Sequence, residues 1–176
     1  DPDTEEPVPW VASNWQVLSG TTVRVEIRDD VLWHDGSMLD AYDVKHSFDI
    51  RSLSYVVSTN VIDPLTLEFE LGSPESKFFS EAIFLKLDPN GYSGIMEGNG
   101  CGPFRLVDSN STVTVLETNE DYFNGKANID GVHYYYYSNP DDAKEDLVTG
   151  EIDFIGWEFT SSEVNAHFQV EWNETT

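Results

Sequence analysis

Two short stretches of this chain alternate so strictly between apolar and polar side chains that neither can form a helix. In Thr22–Arg28, Val23, Val25 and Ile27 share one side and Arg24, Glu26 and Arg28 the other. In Thr66–Leu71, Leu67, Phe69 and Leu71 alternate with Thr66, Glu68 and Glu70. Period two puts each set on its own face of a strand, one against a core and one toward water. Residues 54–62 are β-branched and polar, and Asp63-Pro64 breaks them from the second run, so the two form an antiparallel pair.

A turn at Asp29-Asp30 and a compact loop, Leu32–Gly36, lead to a helix over Ala41–Ser52. Asp40 caps it, Asp43 lies near its positive end, and Ala41, Val44, Phe48 and the stem of Arg51 face inward. A helix is predicted over Ser76–Leu85 after Pro74, followed by a glycine-rich connection across 88–103. Strands Phe104–Val107 and Thr112–Glu117 flank a turn at Asp108–Ser111, and residues 120–131 are irregular. A strand Val132–Tyr137, a helix Asp141–Val148 and a strand Ile152–Ile155 complete the pattern. Without internal repeats, the alternation implies an α+β fold, a mixed β-sheet with flanking helices. Residues 1–11 read as an extended acidic lead-in, 12–156 as one folded lobe and 157–176 as a tail with no convincing period.

Charge excludes several roles. The chain carries 33 Asp plus Glu against 9 Lys plus Arg, a formal charge of −24 over 176 residues. A phosphate backbone repels such a surface, so nucleic acid is not a partner. The acid is spread evenly: residues 1–60 hold 11 carboxylates, 61–120 hold 10 and 121–176 hold 12. A calcium site would concentrate it. An even excess points instead to a halophile's surface, screened by concentrated salt; a basic ligand is the alternative. No apolar run approaches the length of a membrane span. The start at Asp1-Pro2-Asp3 reads as a processed end or a boundary within a longer protein.

The chemistry-bearing residues form no catalytic pattern. His34, His46, His133 and His167 lie far apart, and no two have metal-binding helical spacing, so no metal or cofactor is expected. Cys101, the only cysteine, has no flanking base, and no Gly-x-Ser-x-Gly elbow exists. Gly98-Asn99-Gly100-Cys101-Gly102 leads into a strand rather than from a strand into a helix, so it is a tight turn needing positive φ, not a phosphate cradle. Tyr134–Tyr137 should place one pair in the core and one on a partly exposed face. Asn110-Ser111-Thr112 and Asn173-Glu174-Thr175 have the glycan-acceptor pattern. Tyr55 and Phe84 are the candidate ligand-facing aromatics, being large rings beside adaptable backbone.

Several segments in register carry a resemblance. Thr22–Arg28 with Leu32-Trp33-His34-Asp35-Gly36-Ser37, then Ala41-Tyr42-Asp43-Val44 and Ser47-Phe48, resembles the strand, WhDG loop and AeDV helix of the family 5 extracellular solute-binding proteins. Asp63–Leu71, Gly100-Cys101-Gly102-Pro103-Phe104, Thr118–Phe123 with Gly125-Lys126, Gly131-Val132, and Ala143 with Thr149–Phe154 are similar to later motifs of the same family. Met38 stands where the family has proline and Cys101 where it has threonine, and the stretch between Phe48 and Asp63 is short. The resemblance implies most of the first lobe of a type II periplasmic-binding-protein-like fold, and no enzyme. It also implies capture of a dipeptide or oligopeptide outside the cell, by closure of two lobes, and delivery to an ABC permease in the membrane. The parent would be a lipid-anchored surface protein. Other expectations are a nickel complex or sugar oligomer as ligand, or the sensing domain of a transcriptional regulator. A lobe without its partner should self-associate through exposed apolar surface or sheet edges.

Overall fold

A computed structural model describes residues 8–76, 78–79 and 98–155. The expected α+β architecture is present, with seven strands and two helices among the described residues. The chain divides into two compact units, one of residues up to 109 with 114–133, the other of 110–113 with residues from 134 on.

The first unit is built on a four-stranded sheet in the order β1-β2-β4-β3. Its strands are β1 (Ala12–Val17), β2 (Thr22–Ile27), β3 (Val56–Asp63) and β4 (Thr66–Leu71), each pair antiparallel. The alternation works as predicted: Val23, Ile27, Leu67, Phe69 and Leu71 are buried. On the other face Arg24 pairs with Glu68 across β2 and β4, Nε to Oε1 2.9 Å. Leu65 N–H donates to Asp63 Oδ1 at 2.9 Å, which shapes the β3–β4 turn.

Helix α1 (Ala41–Arg51) packs on this sheet through Ala41, Val44, Ser47 and Phe48. Asp40 Oδ1 accepts the N–H groups of Tyr42 and Asp43, while Asp43 Oδ2 reaches back to the Asp40 N–H, a complete capping box. Ala41 N–H donates to Pro64 O at 2.8 Å, fixing the helix start to the β3–β4 turn. Ser52 ends the helix with φ 46°. Phe48, Phe69 and Phe78 pack at the centre with tilted rings, centroids 4.5 Å apart for the first two and 5.0 Å for the last two. Asp40→Ala should cost about 1 kcal/mol, as loss of an N-cap does, seen as a lower urea midpoint at unchanged slope.

A three-stranded sheet in the order β5-β6-β7 follows, with β5 (Phe104–Ser109), β6 (Val113–Thr118) and β7 (Gly131–Tyr135). Gly131 is required, because a Cβ there would lie 2.5 Å from the Leu116 carbonyl oxygen. In the second unit helix α2 (Pro140–Thr149) starts at Asn139, whose side chain accepts the Asp141 N–H, and ends at Gly150 with φ 81°. Tyr137 donates its phenol to Asp146 Oδ2 at 2.6 Å; that bond holds the phenol up at a pKa of about 12.

Three expectations need correction. Strand β1 was not foreseen. Ile152–Ile155 is not a strand: the N–H groups of Glu151 and Ile152 turn back to the Asp146 carbonyl at the end of α2. No tyrosine pair is buried at 134–137, since Tyr134, Tyr135 and Tyr136 are 49–56% exposed. Most of the predicted helix Ser76–Leu85, together with Phe84, lies outside the described residues.

Candidate functional site

Several of the signature segments, far apart in sequence, meet in one hydrogen-bonded junction in the first unit. Trp33 is 2% exposed, and its indole Nε1–H donates to Asp43 Oδ2 at 3.0 Å. The oxygen that closes the helix cap therefore also anchors the loop before it. Leu32 bridges to Met38, and Trp33 N–H donates to Ser37 O at 2.8 Å, closing the loop over a buried Val31 and Leu39. The compact loop predicted over Leu32–Gly36 is present and supports the start of α1. Asp43→Ala would leave the buried indole N–H unpaired and remove the reciprocal cap, so a loss of about 1–3 kcal/mol is expected on urea unfolding.

His34 turns the loop outward onto the glycine segment. Its backbone N–H donates to Gly100 O at 2.7 Å, and Gly100 N–H donates to Nδ1 at 3.2 Å. Nδ1 is thus an acceptor, which places the ring proton on Nε2, 3.1 Å from the Gly102 oxygen. Gly98 takes the predicted positive φ, 70°. Gly100 serves a different need: a Cβ there would come within 3.3 Å of His34 Cε1. Asp35 completes the clamp, accepting the hydroxyl and N–H of Ser37 at 2.6 and 2.9 Å and the Asn99 amide at 2.8 Å.

Those donors, the Ser37 hydroxyl first, hold the Asp35 carboxyl below its ordinary value. A folded pKa lower than the unfolded one adds stability that is complete above about pH 4 and is lost as the pH falls through the folded value. Asp35→Asn should therefore flatten part of the acid limb of a melting-temperature profile and leave its neutral limb parallel to that of the unaltered protein.

Asn119 ties in the next motif. Its side chain donates to Gly102 O at 3.0 Å and accepts the Asp121 N–H at 3.1 Å, while its own N–H donates to Pro103 O at 2.9 Å. Beyond it Phe123 meets Trp10 edge-on at 5.6 Å and Tyr122 at 4.7 Å, with the Arg28 guanidinium 5.1 Å above its ring. Trp10 is half exposed, whereas Phe123 is partly buried and packs against the core of the first unit. Burial pushes the neighbouring Cys101 thiol up to about 11, so it stays protonated near neutrality. Iodoacetamide should label it slowly in the native state and readily in urea.

The hydrogen-bonding groups of the junction hold one another across segments distant in sequence. Among the described residues no three of His, Cys, Asp and Glu are grouped to hold a metal ion. Tyr55, immediately before β3, is half-buried and packs against the sheet core, and Phe84 lies outside the described residues. Asn99, Asn119 and Trp10 were not singled out from sequence, although Asn119 lies within one of the signature segments.

Comparison with known proteins agrees with the geometry. The chain is 27% identical over 152 residues to the uncharacterized protein YhjP of Bacillus subtilis, 77% of this chain and 25% of that one. It resembles the oligopeptide-binding protein AppA of Bacillus subtilis, solved with a nonapeptide, at a TM-score of 0.75 and 22% identity, covering 81% of this chain and 34% of AppA. NikZ from Campylobacter jejuni, solved with Ni(L-His), gives 0.74 at 23% identity, with 82% and 34% covered. The chain thus spans about a quarter to a third of these proteins' lengths. The family model of the bacterial extracellular solute-binding proteins, family 5 Middle, matches residues 6–170, and the chain belongs to that family.

Proposed function

We propose that this chain is part of a receptor that captures a peptide outside the cell and delivers it to an ABC permease, without covalent chemistry. The observation that carries this reading is the convergence of Trp33–Ser37, Asp43, Gly100–Gly102 and Asn119 in one rigid junction, within a fold like that of AppA. A receptor that closes two lobes over its ligand needs each lobe to move as a unit. Anchoring at the cell surface belongs to the same proposal. A nickel complex is the second reading, favoured by the likeness to NikZ.

Tyr55 and Phe84 are proposed as ligand-facing. The test is a thermal-shift screen of the full-length protein, stripped of ligand by unfolding and refolding, against a peptide library and against nickel with L-histidine. Peptides should raise the melting temperature, by about 2.7 kcal/mol of stabilisation at a hundredfold excess over Kd. A shift from nickel–histidine alone would transfer the reading to a metal complex. Tyr55→Ala should weaken binding beyond its effect on unliganded melting; equal affinity would return Tyr55 to a purely core role.

The isolated 176-residue chain is also proposed to self-associate. Val57 and Ile62 on edge strand β3 and Val107 on edge strand β5 are exposed, which invites edge pairing. Sedimentation should show dimers or larger species growing with concentration, and a monomer at every salt concentration would contradict it.

A further inference from the structure

We propose that Asn110 is a site of N-linked glycosylation, accepting a saccharide from a polyisoprenyl-phosphate-linked oligosaccharide. Asn110-Ser111-Thr112 satisfies the acceptor pattern, as does one other segment of the chain, Asn173-Glu174-Thr175, which lies outside the described residues. Pattern alone is weak, and the geometry adds what it lacks. Asn110, Ser111 and Thr112 are all exposed in the turn between β5 and β6. The Asn110 Oδ1 accepts the Thr112 N–H at 2.9 Å, the Thr112 hydroxyl at 2.8 Å and the Val113 N–H at 3.0 Å. Among the described residues the bonds of this exposed side chain are all made through oxygen, which leaves Nδ2 for the transfer.

The backbone holds that presentation in place. Asn110 N–H donates to Val113 O at 2.9 Å, closing the turn, and Tyr136 N–H donates to Thr112 O at 2.9 Å. The hydroxyl required at the third position of the motif thus already contacts the carboxamide it must serve. Donors on Oδ1 favour the imidate form, in which Nδ2 has given up a proton and its lone pair is free to attack. In the transfer, Nδ2 bonds to C1 of the first sugar and the bond from C1 to the lipid phosphate oxygen breaks. The phosphate leaves with that electron pair, and the Nδ2 proton ends on it. The proposal needs only that the chain be exported, not that its ligand be a peptide, so the two readings fail separately.

The test is glycopeptide mass spectrometry of the full-length protein purified from its own organism. The tryptic peptide 106–126 contains Asn110, Asn119 and Asn124, of which only Asn110 fits the acceptor pattern. That peptide should carry a saccharide mass increment, located by fragmentation on Asn110. Asn110→Asp keeps the oxygen that shapes the turn and removes the nucleophilic nitrogen; it should lose the increment at an unchanged melting temperature. Thr112→Ser should keep it and Thr112→Ala should abolish it. An unmodified peptide 106–126, or an increment that survives Asn110→Asp, would overturn the proposal.

Discussion

Trp33→Ala is expected to cost about 3–5 kcal/mol, the range for removing a large buried aromatic side chain. The indole is 2% exposed and belongs to the cluster that includes Val31, Leu39, Phe48 and Phe69, so its loss opens a cavity at the centre of the first unit. It also removes the indole N–H that Asp43 Oδ2 accepts, and that carboxylate is 8% exposed. Against a total stability of about 5–15 kcal/mol for an ordinary domain, this approaches the threshold of unfolding. Trp33→Phe separates the two effects, since it keeps most of the ring and deletes the N–H. It should cost about 1–3 kcal/mol, the price of one unpaired buried group plus a smaller void. Urea unfolding followed by far-UV circular dichroism gives both numbers. A midpoint unchanged in Trp33→Ala would mean that the loop does not support α1.

The second large effect is set by charge. With 33 acids and 9 bases, one-to-one pairing leaves 33 − 9 = 24 carboxylates without a cation. Six bases hold carboxylates on the described surface: Arg24, Arg28, Lys45, Arg105, Lys126 and Lys144. Little basic charge therefore remains to neutralise the excess. Repulsion reaches about 30 Å at 0.01 M salt and about 3 Å at 1 M, and folding brings the charges closer than the unfolded chain does. The melting temperature should climb steadily from dilute buffer to molar KCl. KCl is weakly salting-out, so a rise there reports screening, whereas a rise confined to sulfate reports strengthened burial. A flat profile in KCl would remove the halophile proposal and leave the surplus acid to a cationic partner.

Where the residues themselves dictate geometry, sequence was enough. Period two placed Val23, Leu67 and Phe69 inward, and Asp40 followed by Ala41, Val44 and Phe48 marked the start and buried face of α1. It failed at β1 because Ala12–Val17 is an edge strand with an irregularity in its pairing between Ala12 and Asn14, and polar Ser13 and Asn14 break the alternation. Ile152–Ile155 looked like a strand by composition, yet a strand needs a partner, and the local competitor was the αL cap at Gly150. Four successive tyrosines specify alternating faces but not whether anything covers them.

The junction was legible only through the resemblance, since its bonds span up to 68 residues. No local period could reveal that His34 would meet Gly100 and Gly102. Asn99 and Asn119 were silent for the same reason: each acts on a segment distant in sequence.

The central claim, solute capture without chemical turnover, is tested most directly by calorimetric titration of the ligand-stripped full-length protein in molar KCl. A defined peptide pool is the titrant, with nickel–histidine in a parallel cell. Saturable one-to-one binding is predicted, with the solute recovered chemically unchanged after the complex is dissociated. Consumption of the solute, or no saturable binding of either class, would contradict the account.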